Sequence, residues 1–296
     1  MIVPVLILLA VSIGLPLAYV LRVLRFDGGS RADWLIEVAE AAAVLLLVLV
    51  VGRWDIAGAW LRWVLVAIFV VAVLVSWRRH AGRWASTRER RGRLAKLIPL
   101  ALLGVALAYV FAGMRLAPAP RDLAFPLEGG WFMVGQGGGN RLLNHHAGHP
   151  AQGHAADITA LNAAGYRAAG VYPSDPARYA AFGARVVSPC AGEVASAIGD
   201  LPDLDPPETD RENPAGNHVV VDCGDDVVVE LAHLRQGSLL VAAGDAVAVG
   251  MSIGEVGNSG NTTEPHLHVH AVDAAGAAVA VTFDGVAPVR NRSFRR

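Results

Sequence analysis

The sequence predicts a two-part chain: an α-helical membrane region of about four helices, followed by a mostly β domain. Three observations lead there. The 296 residues are 54% hydrophobic with a mean hydropathy of +0.42, more apolar than an ordinary soluble domain. Long apolar stretches are confined to the part before residue 115, whereas short β-branched runs and glycine-rich turns dominate after it. Charge divides at the same point: residues 1–114 hold 13 Lys/Arg against 6 Asp/Glu, a net of +7, and residues 115–296 hold 12 against 20, a net of −8. Nine of the ten histidines lie in the second part. A composition break of this size marks a domain boundary.

The membrane region is expected at 1–114, with helices at about 2–21, 34–51, 56–77 and 97–114, each close to the length that spans a bilayer. Residues 1–21 carry no charge, no basic leader and no small-residue cleavage site, so they read as a retained helix. The second stretch holds Glu37 and Glu40, which fit either the interface or an intramembrane polar site. The loop 78–96 contains eight basic residues and one acid, Glu89. By the positive-inside rule it stays cytoplasmic, so the last helix delivers the second part to the outer side. Arg22, Arg25 and Arg31 place the first loop on the cytoplasmic side as well. The expected localisation is therefore the cell membrane, multi-pass, with the lipid bilayer as a partner and the C-terminal domain extracytoplasmic. The acidic second part argues against nucleic acid as a partner, since that ligand selects basic surface.

Residues 115–122 read as a linker and 123–296 as the second domain, long enough to bury a core of its own. Residues 131–140 read as a strand entering the glycine-rich turn 136–140. That turn lacks the Lys-Ser/Thr ending of a phosphate loop. Residues 183–194 read as strand–turn–strand, and 199–216, rich in Pro and acids, as a surface loop. The runs 217–223 and 227–233 flank Gly224, Asp225 and Asp226, a hairpin signal. Further strands are expected at 247–257 and 266–272. Cys190 and Cys223 fall in neighbouring strands; they fit a disulfide or two buried thiols, and a bond would add roughly 3–4 kcal/mol through loop entropy.

Three histidine motifs carry chemistry. In the run from Glu264 to His270, residues two apart in a strand share a face, so His266 and His268 point together while Leu267 and Val269 can face a core. His233 ends the second hairpin strand in the run Leu231, Ala232, His233, Leu234. The segment 144–158 places His145, His146, His149 and His154 ahead of Asp157, a clustering that suits a metal but also suits a flexible loop.

In this order the three motifs resemble the LytM/lysostaphin-type zinc metallopeptidases, over roughly residues 123–273. The stretches 188–194, 216–221 and 249–254 also look like strands of that family. The resemblance implies an antiparallel sheet of split-barrel kind and one zinc ion. Asp157 matches the family's ligating aspartate and His268 its second terminal histidine. His233 and His266 match the histidines that assist catalysis. The first ligand departs from the usual spacing, because Gly153 stands four residues before Asp157. A subset of the family reads Asn, then His or Tyr, then His, as Asn144, His145 and His146 do here, which makes His146 the first choice. His154 remains the alternative, and His145 and His149 are read as outer or surface residues.

The implied function is hydrolysis of peptide bonds in peptidoglycan by a membrane-anchored zinc metallopeptidase. The expected partners are the wall peptide and a regulatory membrane or cell-wall protein. The alternative is a catalytically inactive module of the same fold that binds the wall or regulates another hydrolase. A sensor or assembly role seated in the four helices ranks last, because no motif there supports it. The topology can be checked directly: a reporter fused after Arg296 should read as external, and a cytoplasmic signal there would overturn the orientation.

Overall fold

The computed structural model describes residues 2–27, 30–82, 84, 90–115 and 119–296. The centre of the expected linker 115–122 and part of the basic loop 78–96 lie outside them. The described residues form two units, a helical one at Val3–Phe111 and a β unit made mainly of Ala112–Arg296.

The helical unit contains α1 (Ile2–Leu9), a π-helical turn at Ala10–Gly14, α2 (Leu15–Leu24), α3 (Arg31–Val51), the short α4 (Trp54–Ala57), α5 (Leu61–His80) and α6 (Arg90–Gly113). The π turn sits just ahead of Pro16, whose missing N–H breaks the regular ladder. Among the described residues four helical stretches are long and apolar enough to cross a membrane: Val3–Leu24, Arg31–Val51, Leu61–His80 and Ala95–Gly113. The third begins later than the expected 56. Gly58 takes φ 103, a left-handed value that only glycine adopts readily, and it ends α4 before α5 starts. Ser30 and Asp33 form a reciprocal capping box at the start of α3, which fixes that helix end. Glu37 and Glu40 are held between helices rather than left free: Arg22 lies 2.8 Å from Glu37 and 3.3 Å from Glu40, and Tyr19 donates to Glu40 at 3.1 Å.

In chain order the strands of the β unit are β1 (Arg121–Leu123), β2 (Leu127–Glu128), β3 (Trp131–Gln136), β4 (Ala156–Leu161), β5 (Arg185–Val187), β6 (Gly192–Ile198) and β7 (Asn217–Asp222). There follow β8 (Val227–Leu234), β9 (Ala246–Val247), β10 (Ser252–Glu255), β11 (Leu267–Asp273), β12 (Ala278–Val279), β13 (Val281–Phe283) and β14 (Ser293–Arg295). Among the described residues the main sheet runs β14-β3-β4-β11-β8-β7-β6-β9, with β12 also on β11, and its pairs are antiparallel. The small sheet β10-β5-β2 is separate. The mostly β antiparallel domain expected from the sequence is what forms.

Alternation drives the packing. Leu267 and Val269 of β11, Val229 and Leu231 of β8, and Val219 and Val221 of β7 are buried in one cluster. Phe125, Val186 and Ile253, carried by the small sheet and its approach, join it. This core holds one face of β11, so His268 and His270 must project from the other. At the end of the domain Phe125 stacks on Phe294 with centroids 4.2 Å apart.

Cys190 and Cys223 form a disulfide with Cα atoms 5.7 Å apart and a sequence separation of 33. Of the two readings open in the sequence, the bonded one holds. Replacing both cysteines by alanine should lower domain stability by roughly 3–4 kcal/mol on the loop-entropy scale, measured by protease susceptibility in urea. An unchanged midpoint would contradict that contribution.

Candidate metal centre

The centre is set by strand register. β11 lies between β4 and β8, and His268 pairs with Asp157 on one side and with Ala232 on the other. Neighbouring strands about 4.8 Å apart bring directly opposed side chains into contact. His268 Nδ1 is 2.8 Å from Asp157 Oδ1.

His146 comes from the loop ahead of β4, and Asn144 holds that loop. The fully buried Asn144 side chain donates to the carbonyls of Gly138 and Ala155 at 3.1 and 3.0 Å and accepts from the His146 N–H at 3.0 Å. His146 Nε2 then lies 3.2 and 3.3 Å from the two Asp157 oxygens.

His233 reaches the site through a bulge. Asn217 pairs with Leu234 and Val219 with Leu231, so Ala232 and His233 together face His218. Leu231 and Leu234 both enter the core, which strict alternation would forbid for residues three apart. The extra residue re-aims His233. Its backbone takes φ 62, a strained value for a residue with a Cβ. The peptide is gripped on both sides, with His233 N–H donating to Ala215 and its carbonyl accepting from Gly257. The ring donates from Nδ1 to the Ser259 carbonyl at 2.9 Å. Gly216 makes this possible: at φ 60, a Cβ there would sit 2.3 Å from the Ser259 oxygen.

His266 also uses Nδ1 on a carbonyl, that of Glu264 at 2.8 Å, and its Nε2 is 3.6 Å from Asp157 Oδ1. The rings of His233 and His266 are 5.0 Å apart. Both side chains therefore keep Nε2 for the site.

Electrostatics separates the two. Burial, then the neighbouring imidazoles His266 and His268, hold His233 well below the ordinary histidine range. Burial disfavours charge on His266 as well, but the Asp157 carboxylate outweighs it and raises that imidazole above its usual value. Burial alone would raise Asp157, yet the attraction of His266 and the hydrogen bonds from His146, His266 and His268 hold it well below the usual carboxylate range.

The donor set suits a metal. Tetrahedral ligands at about 2.0–2.1 Å from zinc lie about 3.3 Å from one another, and the contacts of Asp157 with His268 and His146 are 2.8–3.3 Å. His145 is also near, with Nδ1 3.9 Å from Asp157 Oδ2, but it is largely exposed. His145, His146 and Asp157 form a group able to hold an ion. His154 borders a separate cavity with Gly138, Gly139, Ala280, Val281 and Pro288. The His149 ring accepts from the N–H groups of Ala151 and Gln152, a turn role. The acidic loop 199–216 is stapled beside the site: the carbonyls of Ala215 and Pro214 accept from His233 and Asn261, and Asp203 accepts from Asn258.

Sequence reasoning missed Arg167. Its buried guanidinium bonds Glu264 at 2.8 and 2.6 Å and lies against the Tyr172 and Tyr179 rings. Tyr172 also donates to the Thr263 carbonyl at 2.7 Å. These contacts clamp the segment entering His266. An Arg between Tyr166 and Tyr172 in a loop was the signal the sequence offered.

Histidines and a buried carboxylate gathered on an antiparallel sheet make this a β domain with a metal-type donor set. Residues 177–280 match Peptidase family M23. The match spans His233, His266 and His268; His146 and Asp157 precede it. No curated protein matches the chain. Among solved structures, similarity is found to a zinc-containing peptidase from Vibrio cholerae at 21% identity and TM-score 0.35, covering 54% of this chain and 39% of that one. The catalytic domain of lysostaphin from Staphylococcus simulans shares 21% identity at TM-score 0.25, with 39% and 86% covered. The M23 metalloprotease pseudoalterin, from the deep sea, shares 14% at TM-score 0.36, with 60% and 100% covered. The chain thus spans well under two thirds of the Vibrio cholerae protein.

Arg167→Met should destabilise the domain by roughly 3–5 kcal/mol, because it removes the buried guanidinium that pairs with the Glu264 carboxylate. Arg167→Lys should recover only part of this, since an ammonium lacks the guanidinium fork. Urea unfolding with a protease readout measures both. A loss under about 1 kcal/mol for the Met variant, the range of exposed pairs, would contradict the clamp.

Proposed function

We propose that the protein is a membrane-anchored zinc metallopeptidase that cleaves peptide bonds in peptidoglycan on the outer side of the cytoplasmic membrane. The observation that carries this reading is that Asp157 lies within hydrogen-bond distance of both His146 and His268, with His266 Nε2 3.6 Å from it and the His233 ring 5.0 Å from that of His266. His146 Nε2, Asp157 and His268 Nδ1 would hold the zinc. Zinc held by three protein ligands supplies a Lewis acid and a bound water acidified towards neutrality.

The remaining work falls to the chain's own groups. His233 has its proton fixed on Nδ1 by Ser259, so its Nε2 lone pair is free to accept a proton as general base. His266 is drawn towards the charged form by Asp157, which suits Nε2–H for donation to a developing oxyanion. The four apolar helices would confine this chemistry to wall next to the membrane. The start of the family match downstream of His146 and Asp157 supports a second reading, a wall-binding module without activity.

Full-length protein purified in detergent should carry one zinc per chain and release muropeptides from cell walls. His268→Ala should lose the metal and the release together. His233→Ala should keep the metal while slowing release by about 10²–10⁴-fold, the usual range for a general acid–base group. A folded, metal-free and inactive wild-type protein would sink the proposal in favour of the silent module.

A further inference from the structure

His268 offers Nδ1 to Asp157, which leaves its outer nitrogen, Nε2, to be satisfied inside the protein. The ring is nearly inaccessible, so solvent cannot do it. Two residues along β11, on the same face, stands His270, and its Nδ1 is 3.2 Å from His268 Nε2. The ring centroids are 5.3 Å apart at 60°. His270 is itself buried at 7% exposure. Across the strand pair it faces Glu230, whose Oε1 is 3.9 Å from the same Nδ1, beyond hydrogen-bond reach. His270 is therefore the one hydrogen-bond partner seen for His268 Nε2 among the described residues.

Resting on the metal site read above, we propose that His270 is a positioning residue: it accepts the Nε2–H of His268 and so keeps the Nδ1 lone pair of His268 aimed at the ion beside Asp157. A neutral imidazole has one proton and two places for it. On Nδ1, the proton bonds to Asp157 and blocks ligation. On Nε2, it needs a buried acceptor, and His270 Nδ1 is that acceptor. Outer partners of this kind fix both tautomer and ring orientation of a ligating histidine. An apolar side chain could fill the same space but could not accept the bond.

The test compares His270→Leu with His270→Gln in the full-length protein in detergent, reading Zn²⁺ affinity by competition with a chromophoric chelator. Both side chains fill the pocket, and only Gln can accept. The Leu variant should bind Zn²⁺ about 10–100-fold more weakly, the range for losing such a partner, and Gln should recover most of the loss. Urea unfolding of the metal-free proteins should leave both variants folded, so that a lost fold is not mistaken for lost affinity. If Leu leaves the affinity within twofold of wild type, or if Gln falls as far as Leu, the role of His270 is refuted while the site reading stands. If wild-type protein binds no Zn²⁺, the site reading fails and takes this proposal with it.

Discussion

Asp157 is a carboxylate buried at the pairing of β4 with β11, opposite His268. Burying such a charge is costly unless several donors surround it. Much of the site can be read as the means of meeting that cost. The β11 register brings His268 to 2.8 Å, the Asn144 clamp brings His146, and His266 stands 3.6 Å away. Three imidazoles around one carboxylate satisfy each other poorly as hydrogen-bonding groups, because each neutral ring must present either a proton or a lone pair. The same geometry is well suited to a cation shared among them.

Each imidazole is anchored from behind by a different part of the chain. His233 leans on Ser259, whose carbonyl is reached only because Gly216 has no Cβ. His266 leans on Glu264, which Arg167 grips from the loop ahead of β5. The arrangement is stiff because its supports are backbone carbonyls and buried pairs rather than flexible surface groups. Rigid support of this kind keeps reactive groups in place without further ordering when substrate arrives. The helical unit has its own polar cluster, Arg22 with Glu37 and Glu40 and Tyr19. There pairing makes charges tolerable in an otherwise apolar stretch.

Much of this was legible in the sequence, and the gaps have physical causes. The four apolar stretches and the mostly β domain follow from composition and period, which are local properties. The third helix starts late because a single φ at Gly58 outweighs an unbroken apolar pattern. His266 and His268 were readable as a same-face pair because strand alternation needs only spacing. Asp157 and His233 came from family resemblance, and nothing local could have predicted the bulge that re-aims His233. Spacing alone left His146 and His154 open. His146 comes beside Asp157 because the loop 144–155 is folded by the Asn144 side chain onto the Gly138 and Ala155 carbonyls, a conformation that spacing does not encode. Arg167 and His270 were invisible as site residues, because Arg167 bonds Glu264, 97 residues away, and His270 meets only the outer nitrogen of His268.

The proposed function requires one zinc ion held by His146, Asp157 and His268. The most direct measurement is an anomalous-scattering map at the zinc edge from crystals of the protein. One peak is expected, at about 2.0–2.2 Å from His146 Nε2, an Asp157 oxygen and His268 Nδ1. A peak bound by His154 or His145 in place of His146, or no peak at this position, would contradict it.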